Sequence, residues 1–184
     1  MTEDYRPLFN SIAEKLGVEP VEVEYHIVKA GGRARGNKIW FSCEVVAAHE
    51  YVHALQFSRY TPTIFSLVKS LAKSFFRSIL FKKSVNLIKA YQEGFAEYVV
   101  TDILGYSENT ILARERSKAA GRSRIGFATS FFNSYVYGLE YYRLIEKVFG
   151  RNTAIEAGFS RPEDFRKIAY SAREISNSSL PDLV

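Results

Sequence analysis

Residues 43–57 read CEVVAAHEYVHALQF, and how that stretch is wound decides the fold. Val45, Ala48, Val52 and Leu55 recur at intervals of three and four, the apolar stripe of a core-facing helix. Side chains four apart lie on one face of a helix, so His49 and His53 can reach a single ion. Glu50 is rotated by about 100° from His49, which sets it beside the ion rather than on it. A zinc ion held by two neutral imidazoles and one carboxylate keeps an open position for water. Zinc lowers the pKa of that water from about 15.7 to roughly 7, and a carboxylate such as Glu50 can then take the proton. The stretch therefore predicts a Zn2+-dependent hydrolase with Glu50 as general base.

The third ligand has to come from elsewhere. A metzincin would continue the motif with glycine and histidine, where this chain has Gln56 and Arg59. His26 is the remaining histidine, and it precedes the motif on an expected strand. A carboxylate is favoured, and the candidates lie in YQEGFAEY, residues 91–98. Glu93 and Glu97 are four apart on one helical face. One can bind the ion while the other accepts the free N–H of a liganding histidine and fixes its tautomer. Gly94 between them costs about 1 kcal/mol of helix stability relative to alanine, and its missing side chain would let two helices approach closely at the metal.

Working outward, residues 4–16 read as a short amphipathic helix with Leu8, Ile12 and Leu16 on one side. Val21, Val23, Tyr25 and Ile27 alternate with polar residues, the period of a half-buried strand. GGRARGN, residues 31–37, reads as a flexible basic turn, and Lys38 to Ser42 as a second strand, the hairpin partner of the first. Downstream, the periodicity predicts helices over 63–81, 86–104, 107–120 and 135–149, with a loop over 121–126. A last helix is opened by a Ser160/Glu163 capping box and ends near Ile175. The tail, 177–184, reads as frayed. The expected fold class is α+β: a small antiparallel sheet packed on the zinc helix and a second, ligand-bearing helix, with a mostly helical C-terminal half. One domain spans 1–184, made of an N-terminal sheet and zinc helix (1–60), a basic helical insertion (61–90) and a helical part (91–184).

The chain has 184 residues, 47% apolar and 24% charged, enough for a hydrophobic core and too apolar for disorder. Its single cysteine, Cys43, excludes an internal disulfide and reads as a small buried residue. The opening residues lack a signal-peptide pattern, and no apolar run is long enough to span a bilayer, so a cytoplasmic protein is expected. The formal charge is +5. Its surplus is confined to residues 61–90, which carry Lys69, Lys73, Arg77, Lys82, Lys83 and Lys89 and no acidic residue. Such confinement argues against a broad nucleic-acid surface. The helix over 63–81 has aromatic residues on one half and lysines on the other. It reads first as a packing helix, and it also suits peripheral contact with an anionic membrane or a lid over a cleft. The chain has no nucleophile elbow, P-loop or dinucleotide fingerprint.

HEYVH followed by EGFAEY resembles the gluzincin zinc metallopeptidases, and the EGFA string is similar to that of the aminopeptidase N type. The resemblance implies that Glu93 is the third zinc ligand and Glu97 the carboxylate behind a liganding histidine. Tyr135 and Gly138 match a Tyr-x-x-Gly of those enzymes, which implies that Tyr135 stabilises the tetrahedral intermediate. The resemblance also implies a peptide or protein substrate bound in extended form along the strand before the zinc helix, here Lys38–Ser42. The chain lacks the Gly-x-Met-x-Asn motif of the aminopeptidases and the downstream histidine of thermolysin-type enzymes. In size it is closest to the small single-domain archaeal gluzincins, or minigluzincins. The competing expectation is a non-catalytic or latent zinc module: one acting through its basic helix, or one whose tail fills the cleft.

Overall fold

A computed structural model describes residues 4–59, 85–107 and 127–183; within 127–134 it describes the backbone alone. The expected helices over 63–81 and 107–120 and the loop over 121–126 lie outside, or almost wholly outside, these residues. The element order is α1 (Arg6–Lys15), β1 (Glu24–Ile27), β2 (Gly32–Arg35), β3 (Lys38–Phe41) and α2 (Glu44–Arg59). It continues with α3 (Leu87–Tyr98), a π-helical turn (Val99–Ile103), α4 (Phe127–Phe149), α5 (Arg151–Phe159) and α6 (Pro162–Ser176). The class is α+β with a helical C-terminal half. No helix among the described residues is long and apolar enough to cross a membrane.

The sheet is mixed rather than antiparallel, in the order β1-β3-β2. β1 runs parallel to β3, and β2 runs antiparallel to it. The segment expected to be a flexible turn therefore supplies a strand. Its tight turn is only Gly36-Asn37, flanked by the Arg35–Lys38 pair. Gly36 has φ +60°, the positive value that the first position of a type II′ two-residue loop demands. The Gly-Asn pair signals such a turn, but GRAR carries no apolar alternation from which a strand could be read. Ile39 and Phe41 face the core, where Phe41, Tyr5, Tyr25 and Phe9 form an aromatic cluster against α1.

α2 is buried along most of its length, so its amphipathic stripe is wider than the heptad reading suggests. Tyr51 shows how it is held. Its ring stacks on Phe9 at 4.5 Å, and its hydroxyl bonds both the amide and the carbonyl of Val21. Cys43, expected to be buried, is exposed, because the helix starts beyond it at Glu44.

α3 starts at Asn86, whose side chain accepts from the amide of Lys89, as N-cap residues do. α4 crosses α3 in direct backbone contact. A Cβ on Gly138 would sit 2.7 Å from the carbonyl oxygen of Ala90 and 2.8 Å from Cα of Gly94. A Cβ on Gly94 would meet the Gly138 backbone in turn. Two glycines facing each other are the reason these helices can lie so close.

The C-terminal core is aromatic. Tyr91, Phe95, Tyr98, Tyr141, Tyr142 and Phe165 are all fully buried. α5 begins after Gly150 (φ +91°) and has no counterpart in the sequence reading. It changes the role of Ser160. Instead of opening a capping box, Ser160 closes α5, its hydroxyl donating to the Ala157 carbonyl at 2.8 Å. α6 starts instead on Pro162, whose fixed φ suits the first helical position. The tail is not frayed. The Leu183 backbone bonds the Tyr170 hydroxyl through both its amide and its carbonyl, Asp182 pairs with Arg173, and Val85 bridges to Leu183. Tyr141 on α4 also donates to the Pro181 carbonyl, so the described tail is tied to α4, α6 and the entry to α3.

Candidate metal centre

α2 and α3 each present one turn to the other, and three side chains converge in the seam. His49 Nε2 and His53 Nε2 are 3.1 Å apart, and Glu93 Oε2 lies 3.3 Å from the first and 3.2 Å from the second. These three atoms form a nearly equilateral triangle. A tetrahedral zinc ion with ligand bonds of about 2.05 Å has ligand-to-ligand edges of about 3.3 Å. The triangle therefore has the size of one face of such a tetrahedron.

The outer atoms of the histidines fix which nitrogen carries the proton. His49 Nδ1 is 3.2 Å from Glu97 Oε1. A carboxylate only accepts, so Nδ1–H donates and Nε2 keeps its lone pair. His53 Nδ1 is 3.4 Å from Gln56 Oε1. Gln56 cannot be turned round, because its amide group donates to the Gly158 carbonyl at 2.9 Å. His53 Nδ1–H is thereby the donor as well. Both Nε2 lone pairs and a carboxylate oxygen then face one point. Three acceptors at this spacing repel one another unless a cation lies between them.

In the protein without metal, a proton is that cation. Burial opposes charge on His49, but its hydrogen bonds to Glu93 and Glu97 outweigh it and raise its pKa well above the usual histidine value. Burial likewise opposes ionisation of Glu93, yet His53, His49 and Lys89 hold its carboxyl well below the usual range. Metal and proton compete for one place, which is how a histidine–carboxylate site behaves. His49, His53 and Glu93 form a group that could hold a metal ion, and the ligand atoms fit one. His26 lies elsewhere, on the outer face of the sheet, bonded to Glu24 and stacked on Trp40.

Glu50 is 8% exposed and lies under β2. A Cβ on Gly32 would fall 2.6 Å from Glu50 Oε1 and also overlap Val46, so glycine is required where the strand passes over this carboxylate. The Tyr135 ring stacks beside His49, with centroids 6.5 Å apart and planes 15° from parallel. The Gly94–Gly138 contact, one turn further along α4, sets that placement. Glu97 is 2% exposed, and its Oε2 has no hydrogen-bond partner among the described residues.

Two site residues escaped the sequence reading: Gln56, which orients His53, and Gly32, which makes room for Glu50. Gln56 lies three residues after His53, a helical neighbour that the spacing alone could have flagged. Gly32 acts through a contact that no local pattern encodes. One expectation is corrected. β3 cannot accept a peptide strand, because β1 and β2 occupy both its edges. The edge strand beside Glu50 is β2. An open cavity of about 630 Å³ at the start of α6 is lined by Arg59, Phe159, Ser160, Arg161, Glu163 and Asp164, and by none of the converging ligands.

No protein-family model, no curated protein and no solved structure matches the chain.

Proposed function

We propose that the protein is a zinc-dependent peptidase of the gluzincin kind. The observation that carries this reading is the triangle of His49 Nε2, His53 Nε2 and Glu93 Oε2, 3.1–3.3 Å on every edge, with Glu50 on the next helical position. Two imidazoles and one carboxylate suit zinc, and a set of three leaves a coordination position open. A zinc ion held there would polarise a carbonyl oxygen and make water a nucleophile near neutral pH.

The chain's own residues supply the rest. Glu97 and Gln56 hold the two imidazoles in the tautomer that directs both Nε2 atoms inward. Glu50, clamped between α2 and Gly32, accepts a proton from the attacking water and returns it to the leaving amine. Tyr135, whose ring stacks beside that of His49, would offer its hydroxyl to the oxygen that becomes negative. β2 offers its outer edge to an extended peptide, which would bind chiefly through main-chain hydrogen bonds. A structural zinc site needs no such base, and four protein ligands would normally close it.

The test is cleavage of a mixture of unstructured peptides, read by mass spectrometry. Wild-type protein loaded with zinc is expected to cut, and Glu50→Gln is expected to retain the metal and lose about 10²–10⁴-fold in rate. Equal rates for the two proteins, or a zinc-loaded wild type that cuts nothing, would defeat the reading.

A further inference from the structure

The converging cluster uses only one oxygen of Glu93. Oε2 faces both histidines, and Oε1 accepts a hydrogen bond from Lys89 Nζ at 3.1 Å. The lysine side chain is 33% exposed and the glutamate 10%, so the pair sits at the mouth of the seam. Lys89 is also the one basic residue of the 61–90 segment that falls within the described chain.

Helix energetics do not explain this lysine. It stands in the first turn of α3, where the helix dipole disfavours a positive charge. It lies four residues before its glutamate, the less favourable order for such a pair, since the acidic residue is better placed N-terminal. Holding an extended lysine across a partly buried carboxylate also costs side-chain entropy. The dipole, the order of the pair and the side-chain entropy each weaken what the ion pair gains, and the contact is nevertheless formed. What the contact achieves is specific to the site: it occupies the oxygen that would otherwise be free to swing onto the ion as a second ligand.

We propose that Lys89 is a positioning residue that confines Glu93 to one-oxygen coordination and so keeps the fourth position of the metal open to solvent. This rests on the metal-centre reading above. Lys89 acts through Glu93. Without it, both carboxylate oxygens can turn toward the ion, raising the coordination number and crowding the place where water enters.

The experiment uses Co2+ alone as the probe, bound to the full chain, because the intensity of its visible absorption reports coordination number. Wild type is expected to give the intense bands of four-coordinate Co2+. Lys89→Met is expected to lose most of that intensity, as five-coordinate Co2+ does, and Lys89→Arg to restore it. Circular dichroism verifies that each variant is folded, and Lys89→Gln replaces the methionine variant if that one is not. Identical spectra for wild type and the folded variant would overturn the proposal while leaving the metal centre standing. A wild type that takes up no Co2+ would overturn both.

Discussion

The α2–α3 seam and the aromatic core that α3 shares with α4–α6 are both buried and both rich in polar groups, yet they treat those groups in opposite ways. In the core, every buried tyrosine hydroxyl finds a fixed partner. Tyr142 donates to the Tyr91 carbonyl at 3.0 Å, Tyr91 to the Ser160 carbonyl at 2.8 Å and Tyr98 to Glu146 at 2.7 Å. Donor meets acceptor, and the network is closed. In the seam, two lone pairs and a carboxylate oxygen point at each other, and Glu97 keeps one oxygen unpaired among the described residues. A folded protein tolerates a cluster of acceptors only when something positive completes it. The core is finished by its own side chains, whereas the seam leaves a place that a cation could complete.

The largest effect should come from a backbone contact that both regions share. Gly94→Ala forces a methyl group into the Gly138 backbone, whose carbonyl oxygen would be 2.8 Å away. The helices must separate, at a cost of about 1–3 kcal/mol or more, and Tyr135 must move away from His49. Urea denaturation reads the first change. A midpoint equal to that of wild type would show that the helices do not cross as described.

A change at Gln56, where the seam meets α5, should act on a metal ligand from behind. Gln56→Leu removes the acceptor from His53 Nδ1 and the donor from the Gly158 carbonyl. Zinc affinity, measured by competition with a chromophoric chelator, should fall about 10- to 100-fold. An unchanged affinity would mean that His53 is oriented by something else.

The two regions should also answer pH in different ranges. Burial pushes the Tyr141 hydroxyl up to about 12. Tyr98 and Tyr142 are raised in the same direction, again chiefly by burial. An unfolded tyrosine ionises near pH 10, so these groups stabilise the fold below about pH 10 and that contribution is lost as pH rises toward about 12. Glu93 has a lowered pKa, so its contribution is present above about pH 4.3 and is lost on acidification. His49 has a raised pKa, and its contribution in metal-free protein is present below about pH 6.5 and lost as pH climbs through the folded value. Thermal melts of apo protein from about pH 9 to about pH 11 should show the tyrosine loss together with phenolate absorbance. Zinc affinity should fall on acidification, as protons reclaim the histidines.

How much of this was legible follows from the range of each interaction. His49, Glu50 and His53 were readable because one helix fixes their relative angles, and the same holds for Glu93 and Glu97 on the next helix. The α+β class followed from the change of period at Cys43. The sequence reading put a close helix approach at Gly94 beside the metal; the structure puts it between α3 and α4, with Gly138 as partner, a contact that spans more than forty residues. β2 was missed because its side chains are Gly, Arg, Ala and Arg, and its pairing with β3 is a property of the backbone. Ser160 was misassigned because α5, an element of weak amphipathic pattern, precedes it and claims its hydroxyl.

The most direct test is metal content. Protein purified without chelator, dialysed against excess Zn2+ and then freed of loose metal should carry one zinc ion per chain by plasma mass spectrometry. Glu93→Gln and His53→Ala should carry almost none while remaining folded. Wild type without bound zinc, or a Glu93→Gln variant that binds it as tightly as wild type, would contradict the centre described here.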